Sequence, residues 1–492
     1  MRYSKTKNNI NSNSISQNIV WVMINCLYAL VLYSIKPAFA NVVKEKQIII
    51  VFWIGISTVV LSIIMIKLTK KEFDFYAILI VITFVFMFGQ HFLYWLNIYP
   101  KDMIILTDRV HSEALYDTGF LVCFSIIAMN IGYLLINPPK TVRDSLYQKS
   151  FDDERCRFCL YKAGKVFFFI SLVPTLIELV TNIYLTFTVG YAERLTNSEY
   201  KRSGITNITG IISGFMIPAI IALFISRKPK QKWPVIVLVG YTILYTLSGS
   251  RINTMILLVS TLYIQNKFFT KLNKKRIALY LVAAIIVMFA FSVVSSARKN
   301  IGIGKDNFSM IQSSIDEIAE NNPIVSALSE AGYTFEATSA VIDNCPNNKP
   351  YNKGLSYISG LLYIIPNGFT GDFYNSIASS TDDTFKGYIN AYGSGIGSSF
   401  IAEAYWNFGY VSLLLMIVFG CFIGKICSKI DVAIKTKDYS IIYICLYVLI
   451  TITFYVRSDT RTFYRNFIWF GLPVLLLYRN YYKEYSLNEN GK

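Results

Sequence analysis

The chain has 492 residues, of which 54% are hydrophobic and 16% are charged, and its mean hydropathy is +0.44. A soluble domain carries about 25% charged residues, so this composition excludes a soluble globular protein. The formal net charge of +17 would suggest a nucleic-acid partner in a soluble protein, but in a membrane protein it reports basic cytoplasmic loops. We therefore expect the lipid bilayer as a partner and no nucleic acid.

Apolar runs long enough to cross a hydrocarbon core of about 30 Å recur along the whole chain. They predict an all-α integral membrane protein with about twelve transmembrane helices and one large outer loop. Placing both termini in the cytoplasm puts the larger share of the Lys and Arg residues on the inner side, as the positive-inside rule requires. The predicted spans are 18–36, 47–67, 75–99, 115–137, 164–188, 207–226, 233–248, 252–266, 277–296, 402–424, 440–456 and 463–478.

Three segments follow from this pattern: a bundle of nine spans over 1–296, an outer loop over 297–396, and three further spans with a short cytoplasmic tail over 397–492. The region 233–266 is open to two interpretations, because its two short spans fit either two crossings or a re-entrant hairpin. Helical spacing within 308–343 and the apolar, aromatic strip before Pro366 predict amphipathic helices in the membrane interface.

Cysteine and histidine are sparse on the predicted outer side. Cys345 is the one cysteine expected in an exposed outer loop, so we expect no disulfide there within the chain. Cys156 and Cys159 form a single C-x-x-C without a second pair, which favours chance spacing over a metal site. His111 is a weak candidate for an acid or base. The sequence predicts no metal and no cofactor.

Arginines on the outer side run against the usual charge bias and most simply suggest an anionic ligand. The seven are Arg194, Arg202, Arg251, Arg298, Arg457, Arg461 and Arg465. The last three are four residues apart, which on a helix places them along one face. Clustered guanidinium groups bind phosphate, so this row predicts a diphosphate site, although the same arginines would also serve as interfacial anchors beside Asp459.

Arg251 follows Ser248-Gly249-Ser250 and lies between two short apolar spans. At 1.5 Å per residue such spans would hold Arg251 below the outer interface, where a charge is costly unless it has a function or an acidic partner. Arg194, Arg202 and Arg298 lie in outer loops and are expected to attract an anionic substrate or to pair with loop acids.

Glu403 lies at the outer start of an apolar span, where it is a candidate general base or a group that orients a hydroxyl. Asn407 is four residues further on, on the same predicted helix face, and can hydrogen-bond sugar hydroxyls. Tyr405 and Trp406 offer aromatic rings on which a sugar could stack. The alternative for Glu403 is an acid favoured at a helix start by the macrodipole.

Three motifs occur in an order that resembles the O-antigen polymerases, the Wzy-type polymerases of oligosaccharide repeat units. They are Ser248-Gly249-Ser250-Arg251, then Lys353-Gly354-Leu355-Ser356-Tyr357 leading to Ile365-Pro366, then Glu403-Ala404-Tyr405-Trp406-Asn407-Phe408-Gly409. The topology with its large outer loop is similar over the whole chain, and the specific motifs cover about 230–470.

This resemblance implies a GT-C-like, metal-independent glycosyltransferase of the bacterial cytoplasmic (inner) membrane. It would move a growing glycan from undecaprenyl diphosphate to a new repeat unit on the same lipid, with the pathway's flippase and chain-length regulator as further partners. Glu403 and Arg251 would be catalytic, and the substrate would be bound by Arg298, Arg457, Arg461, Arg465, Tyr357, Tyr405 and Asn407.

Two other functions remain open. A flippase for lipid-linked oligosaccharides would need charged residues through the core of its bundle, whereas these spans are almost uncharged. An O-antigen ligase would be an enzyme of similar architecture, and the sequence separates it poorly from a polymerase.

Overall fold

The computed structural model describes residues 2–70, 74–98, 112–136, 152–188, 205–228, 230–248, 251–269, 275, 323–365 and 397–490. Within these ranges every regular element is helical. The α-helices are α1 (Arg2–Phe39), α2 (Lys44–Lys70), α3 (Phe75–Leu96), α4 (Ser112–Ile136), α5 (Asp153–Thr188), α6 (Ile205–Ser213), α7 (Met216–Ser226), α8 (Trp233–Leu247), α9 (Arg251–Ile264), α10 (Pro323–Asn344), α11 (Leu355–Leu362), α12 (Phe400–Phe408), α13 (Ser412–Thr436), α14 (Tyr439–Tyr455), α15 (Thr460–Arg465) and α16 (Leu472–Asn490). Short π-helical turns at Gln265–Phe269 and Asn466–Gly471 and a 3₁₀ turn at Gly409–Val411 complete the described helices.

Seven described segments are long and apolar enough to cross a membrane, which confirms a multi-pass helical membrane protein. They are Ser16–Phe39, Lys44–Thr69, Phe75–Leu96, Glu113–Ile136, Asp153–Thr186, Asn207–Ser226 and Phe400–Thr436. Helices α8 and α14 are apolar but shorter. The predicted span 277–296 lies outside the described residues, so the count of twelve stays a prediction.

The chain divides into two compact units. The first unit comprises Met1–Ser150, Leu328–Thr436 and Thr451–Arg465, and the second comprises Phe151–Ala327, Lys437–Ile450 and Asn466–Lys492. In the second unit α5 packs against α7 and α16, with Gly164 facing Ala222 and Leu223 of α7.

In the first unit, α4 and α13 approach each other through glycines. Gly132 of α4 faces the backbone of Ile417, and Gly420 of α13 faces the backbone of Met129. Lipid tails are as apolar as a leucine side chain, so helices in a membrane gain from close backbone contact through small residues. The glycines allow this contact because a Cβ at either position would overlap the partner's backbone.

Helix α10 also belongs to the helical packing of the first unit. Its backbone passes Gly89 of α3, where the carbonyl oxygen of Leu328 lies 2.6 Å from an ideal Cβ position, and Gln90 Nε2 donates to the carbonyl of Ser329 at 3.2 Å. Residues 334–341 are buried at every position. Small residues let α10 pack closely against α3, and the interfacial position predicted for this segment stays a prediction.

Cys345 follows the last turn of α10 and is 2% exposed, so the expected exposed cysteine is buried. Its amide donates to the carbonyl of Val341 at 2.9 Å, which continues the helical hydrogen bonding into the turn. Burial raises the pKa of the Cys345 thiol to about 11. Its position after a predicted helix of the outer loop indicated nothing about this burial.

Candidate functional site

Glu403 is the centre of a buried hydrogen-bond network in the first unit. The residue is 1% exposed in the first turn of α12. Ser356 Oγ donates to its Oε1 at 2.8 Å, and three further donors reach Oε2. These are Tyr455 Oη at 3.0 Å, the Thr460 backbone amide at 2.9 Å and Thr460 Oγ1 at 2.8 Å. One carboxylate thus joins α11, α12, α14 and α15.

Four donors occupy most of the lone-pair directions of the Glu403 carboxylate. Two of them come from the first residue of α15, including a backbone amide that helical hydrogen bonding leaves unpaired. A group fixed in this way has little freedom to take a proton from a substrate. The geometry indicates that Glu403 holds the surrounding helices in place.

Asn407 lies one turn further along α12 on the same face, as its spacing predicts. Its Nδ2 donates to Ser356 Oγ at 2.7 Å and to the Glu403 carbonyl at 2.7 Å, and its Oδ1 accepts from the Gly354 amide at 2.8 Å. The amide therefore holds the turn before α11, where Lys353 and Gly354 have φ of 49° and 86°. The side-chain amide of Asn407, which the sequence analysis assigned to sugar hydroxyls, is therefore bound to protein groups in this structure.

The predicted single helix through Arg457, Arg461 and Arg465 is wrong. Helix α14 ends at Tyr455, and α15 begins only at Thr460. Asp459 is the physical reason, because its Oδ1 accepts from the Thr462 amide at 3.0 Å and from Thr462 Oγ1 at 2.9 Å and so caps a new helix. Arg457 lies in the turn before this cap, while the other two share α15.

Each arginine nevertheless has a defined neighbour within the first unit. Arg457 Nη1 lies 4.0 Å from Glu330 Oε1, and Arg461 Nη2 lies 2.9 Å from Asp459 Oδ2. The Arg457 and Arg461 side chains are 29% and 17% exposed, so water reaches both. The Arg461 pair is the closer of the two, and Arg461 Nε also donates to Asp459 Oδ2 at 2.9 Å.

Tyr363 brings two of these arginines together. The guanidinium carbons of Arg461 and Arg465 lie 5.5 Å and 5.6 Å from the centre of its ring. Helix α11 packs on α15 at Gly360, where an ideal Cβ would lie 3.4 Å from the Arg461 amide nitrogen. Two cations thus lie near one aromatic ring, and clustered guanidinium groups are able to bind a phosphate group. We call Arg457, Arg461, Arg465 and Tyr363 the arginine cluster.

The aromatic rings after Glu403 are less accessible than the sequence predicts. Tyr405 and Trp406 are each 4% exposed, so their faces are used in packing. Tyr405 makes edge contacts with Tyr351 and with Tyr410, at centroid distances of 6.1 Å and 5.4 Å. Of this group Tyr410 is the exposed ring, at 47%.

Tyr410 is a residue that the sequence reasoning missed. Lys36 lies 5.7 Å above its ring and pairs with Asp117 at 2.7 Å. An exposed tyrosine beside an ion pair offers the stacking face and the hydrogen-bonding groups that a sugar requires. Its position directly after the Glu403 motif was the available signal. Tyr363 was likewise visible only as part of an apolar strip.

Tyr357 stacks on Phe408 with ring centroids 6.2 Å apart and planes 10° apart. Burial, with a further contribution from Glu403, raises the pKa of Tyr357, so its hydroxyl stays protonated near neutral pH. The hydroxyl is therefore able to donate a hydrogen bond.

The remaining candidates do not join this network in the described part of the chain. Arg251 is the first residue of α9 in the second unit, and its side chain lies outside the description. Arg194, Arg202, Arg298 and His111 lie outside the described residues. No group of three His, Cys, Asp or Glu side chains among the described residues is arranged to hold a metal ion.

Comparison with known proteins gives one family. The family model described as O-antigen polysaccharide polymerase Wzy matches residues 4–486. No curated protein and no solved structure matches the chain.

Proposed function

Because the chain belongs to the O-antigen polysaccharide polymerase family, we propose that it joins lipid-linked repeat units by transferring the growing glycan from undecaprenyl diphosphate to a new lipid-linked unit. The family acts on lipid-linked oligosaccharides in a membrane with a polymerising, glycosyltransferase-type activity. The observation that carries the proposal for this chain is the arginine cluster. A leaving lipid diphosphate needs cations at the end of an apolar span, and the cluster supplies three.

In the proposed reaction a hydroxyl of the acceptor sugar attacks the anomeric carbon of the donor. The new glycosidic C–O bond forms while the bond to the diphosphate oxygen breaks, and the proton of the hydroxyl passes to solvent water. Negative charge grows on the leaving diphosphate, where Arg461 and Arg465 would stabilise it by bidentate hydrogen bonds. We propose no metal and no cofactor for this step, and an active face on the outer side of the cytoplasmic membrane.

Glu403 serves in this proposal as a positioning residue. Its bonds to Ser356 and Thr460 connect the start of α11 with the start of α15. Tyr363 directly follows α11 and the Arg461–Arg465 pair lies in α15, so the carboxylate holds the ring and the cations near each other. Tyr410 and Tyr357 are the proposed contacts for the sugars, because the Tyr410 ring is exposed and the Tyr357 hydroxyl stays protonated and able to donate a hydrogen bond.

The test is complementation of a deletion strain followed by gel analysis of the surface glycan. The Arg461→Gln/Arg465→Gln double variant should lower long-chain glycan by about 100-fold or more, the loss expected when charge stabilisation in a transition state is removed. Arg479→Gln is the matched control, since Arg479 is exposed on α16 outside the cluster. A full glycan ladder from the double variant, with normal membrane levels, would refute the assignment.

The same gel distinguishes the two rival functions. Loss of a polymerase leaves single repeat units on the acceptor, loss of a ligase accumulates lipid-linked polymer, and loss of a flippase traps single units on the inner side. We expect the first pattern from the deletion and from the double variant. Either of the other patterns would overturn the polymerase proposal while leaving the family membership intact.

Arg251 remains a proposed substrate-facing cation because it begins α9 only a few residues after the apolar helix α8 ends at Leu247. Arg251→Ala should abolish long-chain glycan, and Arg251→Lys should restore part of it if a positive charge is what the substrate needs. Equal ladders from the alanine variant and the parent chain would remove Arg251 from the site.

A further inference from the structure

The second unit contains a cavity of about 720 Å³ where the first turns of α5 meet the segment after α7 and the end of α16. Its lining includes the basic residues Arg155, Arg157, Lys228 and Lys230 and the aromatic residues Phe158 and Tyr161. Two acids, Asp152 and Glu154, also line it, so the cationic side chains are in excess. A cavity of this size accommodates a small-molecule group.

Arg155 is held rigidly at this cavity. Its Nη2 donates to the carbonyl of Tyr482 at 3.0 Å, and its guanidinium carbon lies 4.4 Å and 5.0 Å from the ring centres of Tyr482 and Tyr485. Stacking on two rings of α16 fixes the plane of the guanidinium group. Nearby, Arg157 Nη2 binds Asp153 at 2.8 Å, while its buried Nε has no hydrogen-bond partner among the described residues.

The hydroxyl group of Tyr161 supplies a hydrogen-bond donor at the cavity. Its hydroxyl oxygen accepts hydrogen bonds from Gln231 Nε2 and from Trp233 Nε1, each at 2.7 Å. Both lone pairs are therefore used, and the hydroxyl hydrogen is left to donate. Since Tyr161 lines the cavity, an anionic oxygen there would complete its hydrogen bonding.

The two acidic residues that line the cavity do not prevent an anion from binding there. Asp152 Oδ1 accepts from the Glu154 and Arg155 amides at 3.0 Å and 3.4 Å, so it caps α5 and is already satisfied. Glu154 pairs with Lys228 at 3.4 Å, but the two side chains are 84% and 71% exposed. An ion pair so exposed to water is weak and is readily exchanged for a better anion.

The helix that bears the cavity is also a lipid-facing helix. Phe158 is 55% exposed at the cavity, and further along α5 Phe169, Ile170 and Val173 are exposed at 58%, 52% and 61%. Exposed apolar side chains on a membrane-spanning helix contact acyl chains. An anionic phospholipid matches both features, because its head group is charged and its acyl chains are apolar.

We propose that this cavity binds the phosphate head group of an anionic phospholipid, with the acyl chains lying along α5. Arg155, Arg157, Lys228 and Lys230 supply the positive charge, and Tyr161 donates to a phosphate oxygen. Basic pockets at the membrane surface of helical proteins recognise anionic lipid head groups in this way. The site is independent of the proposed polymerase chemistry, which uses residues of the first unit.

The test is native mass spectrometry of the purified full chain titrated with phosphatidylglycerol, with phosphatidylcholine of the same chain length as the neutral comparison. Lys228→Gln/Lys230→Gln should weaken phosphatidylglycerol binding by about tenfold. Tyr161→Phe, which removes one hydroxyl, should weaken it by several-fold. Lys425→Gln/Lys429→Gln is the matched control, because it removes two exposed lysines of α13 and should bind like the parent chain.

A third titration with inorganic phosphate separates the lipid from the free anion. We expect phosphate to compete only at concentrations far above those of the lipid, because it lacks the contacts along α5. Equal binding of both phospholipids, equal loss in the two double variants, or tight binding of phosphate with none of phosphatidylglycerol would each overturn the proposal.

Discussion

At Glu403 the protein itself provides four hydrogen-bond donors, from Ser356, Tyr455 and both donors of Thr460. A buried carboxylate that accepts four hydrogen bonds stabilises the positions of its donors, because removing it would leave several of them without partners. The sequence correctly indicated an important acid at the start of an apolar helix. It gave no sign of the donors, because they come from positions up to 57 residues away along the chain.

The Glu403→Gln variant tests whether Glu403 holds the neighbouring helices in place or acts as a general base. The amide nitrogen of Gln would face donors at Thr460, so we expect destabilisation of about 3 kcal/mol together with loss of long-chain glycan. The measurements are thermal unfolding in detergent and the glycan ladder. Ser356→Ala removes one donor and leaves the carboxylate, so it should lower both quantities less. A Glu403→Gln chain with parental unfolding temperature and no glycan would instead support a general base.

Cys345 provides a test of the buried end of α10. The thiolate is the reactive form, and at pH 8 a thiol with a pKa of about 11 is almost wholly protonated. In a variant that retains only Cys345, maleimide labelling should therefore be slow in the folded protein, rise as the pH approaches 11, and become complete in dodecyl sulfate. Fast labelling of the folded chain at pH 8 would show that the segment after α10 is open to water.

At the level of helices, the arginine row shows why spacing alone is not enough. Residues four apart share a face only when one helix contains them all. The sequence Ser458-Asp459-Thr460 offers a helix-starting cap, and the structure uses Asp459 for it. This cap predicts that Arg457 lies before the helix, whereas the two arginines that lie near Tyr363 are within it. The contact with Tyr363 itself joins segments about a hundred residues apart, which spacing cannot reveal.

The crossing of α4 and α13 gives a prediction with an internal control. Gly132→Ala places a Cβ against the backbone of Ile417, which cannot move as a side chain can, so we expect a loss of about 1 to 3 kcal/mol. Gly240 lies in α8 with nothing within 4 Å of its ideal Cβ, and Gly240→Ala should be neutral or stabilising by up to about 1 kcal/mol. Thermal unfolding of the two variants measures the difference. Equal midpoints would show that the two helices do not cross at these glycines.

For the whole molecule, hydropathy was a sound guide to where helices lie and a poor guide to how they pack. Seven of the predicted spans correspond to long apolar helical segments and two more to the shorter apolar helices α8 and α14, because a run of apolar residues in lipid has to satisfy its own backbone hydrogen bonds. The helical spacing within 308–343 agrees with α10, but its Ser, Thr and Glu residues gave no sign that the helix is buried. Burial among neighbouring helices depends on partners that are distant in sequence.

The predicted orientation, with both termini in the cytoplasm, is a statement about the whole chain. Fusion of green fluorescent protein after Lys492 should give fluorescent cells, and fusion of alkaline phosphatase at the same place should be inactive. A second pair of fusions within the outer loop, after Asn344, should give the reverse result. Matching signals at the two positions would contradict an odd number of crossings between them and with it the twelve-span topology.

The packing of α10 on α3 has a consequence for biogenesis. Gln90 and Ser329 are hydrogen-bonded although 239 residues separate them, and His91 meets Phe335 with ring centroids 4.3 Å apart. During synthesis α3 therefore enters the bilayer long before the segment that covers its polar face exists. Until residue 335 has emerged, Gln90 and His91 must be shielded by water, by lipid head groups or by an insertion factor. A chain that stops before α10 should therefore be recognised and degraded as an unfinished membrane protein.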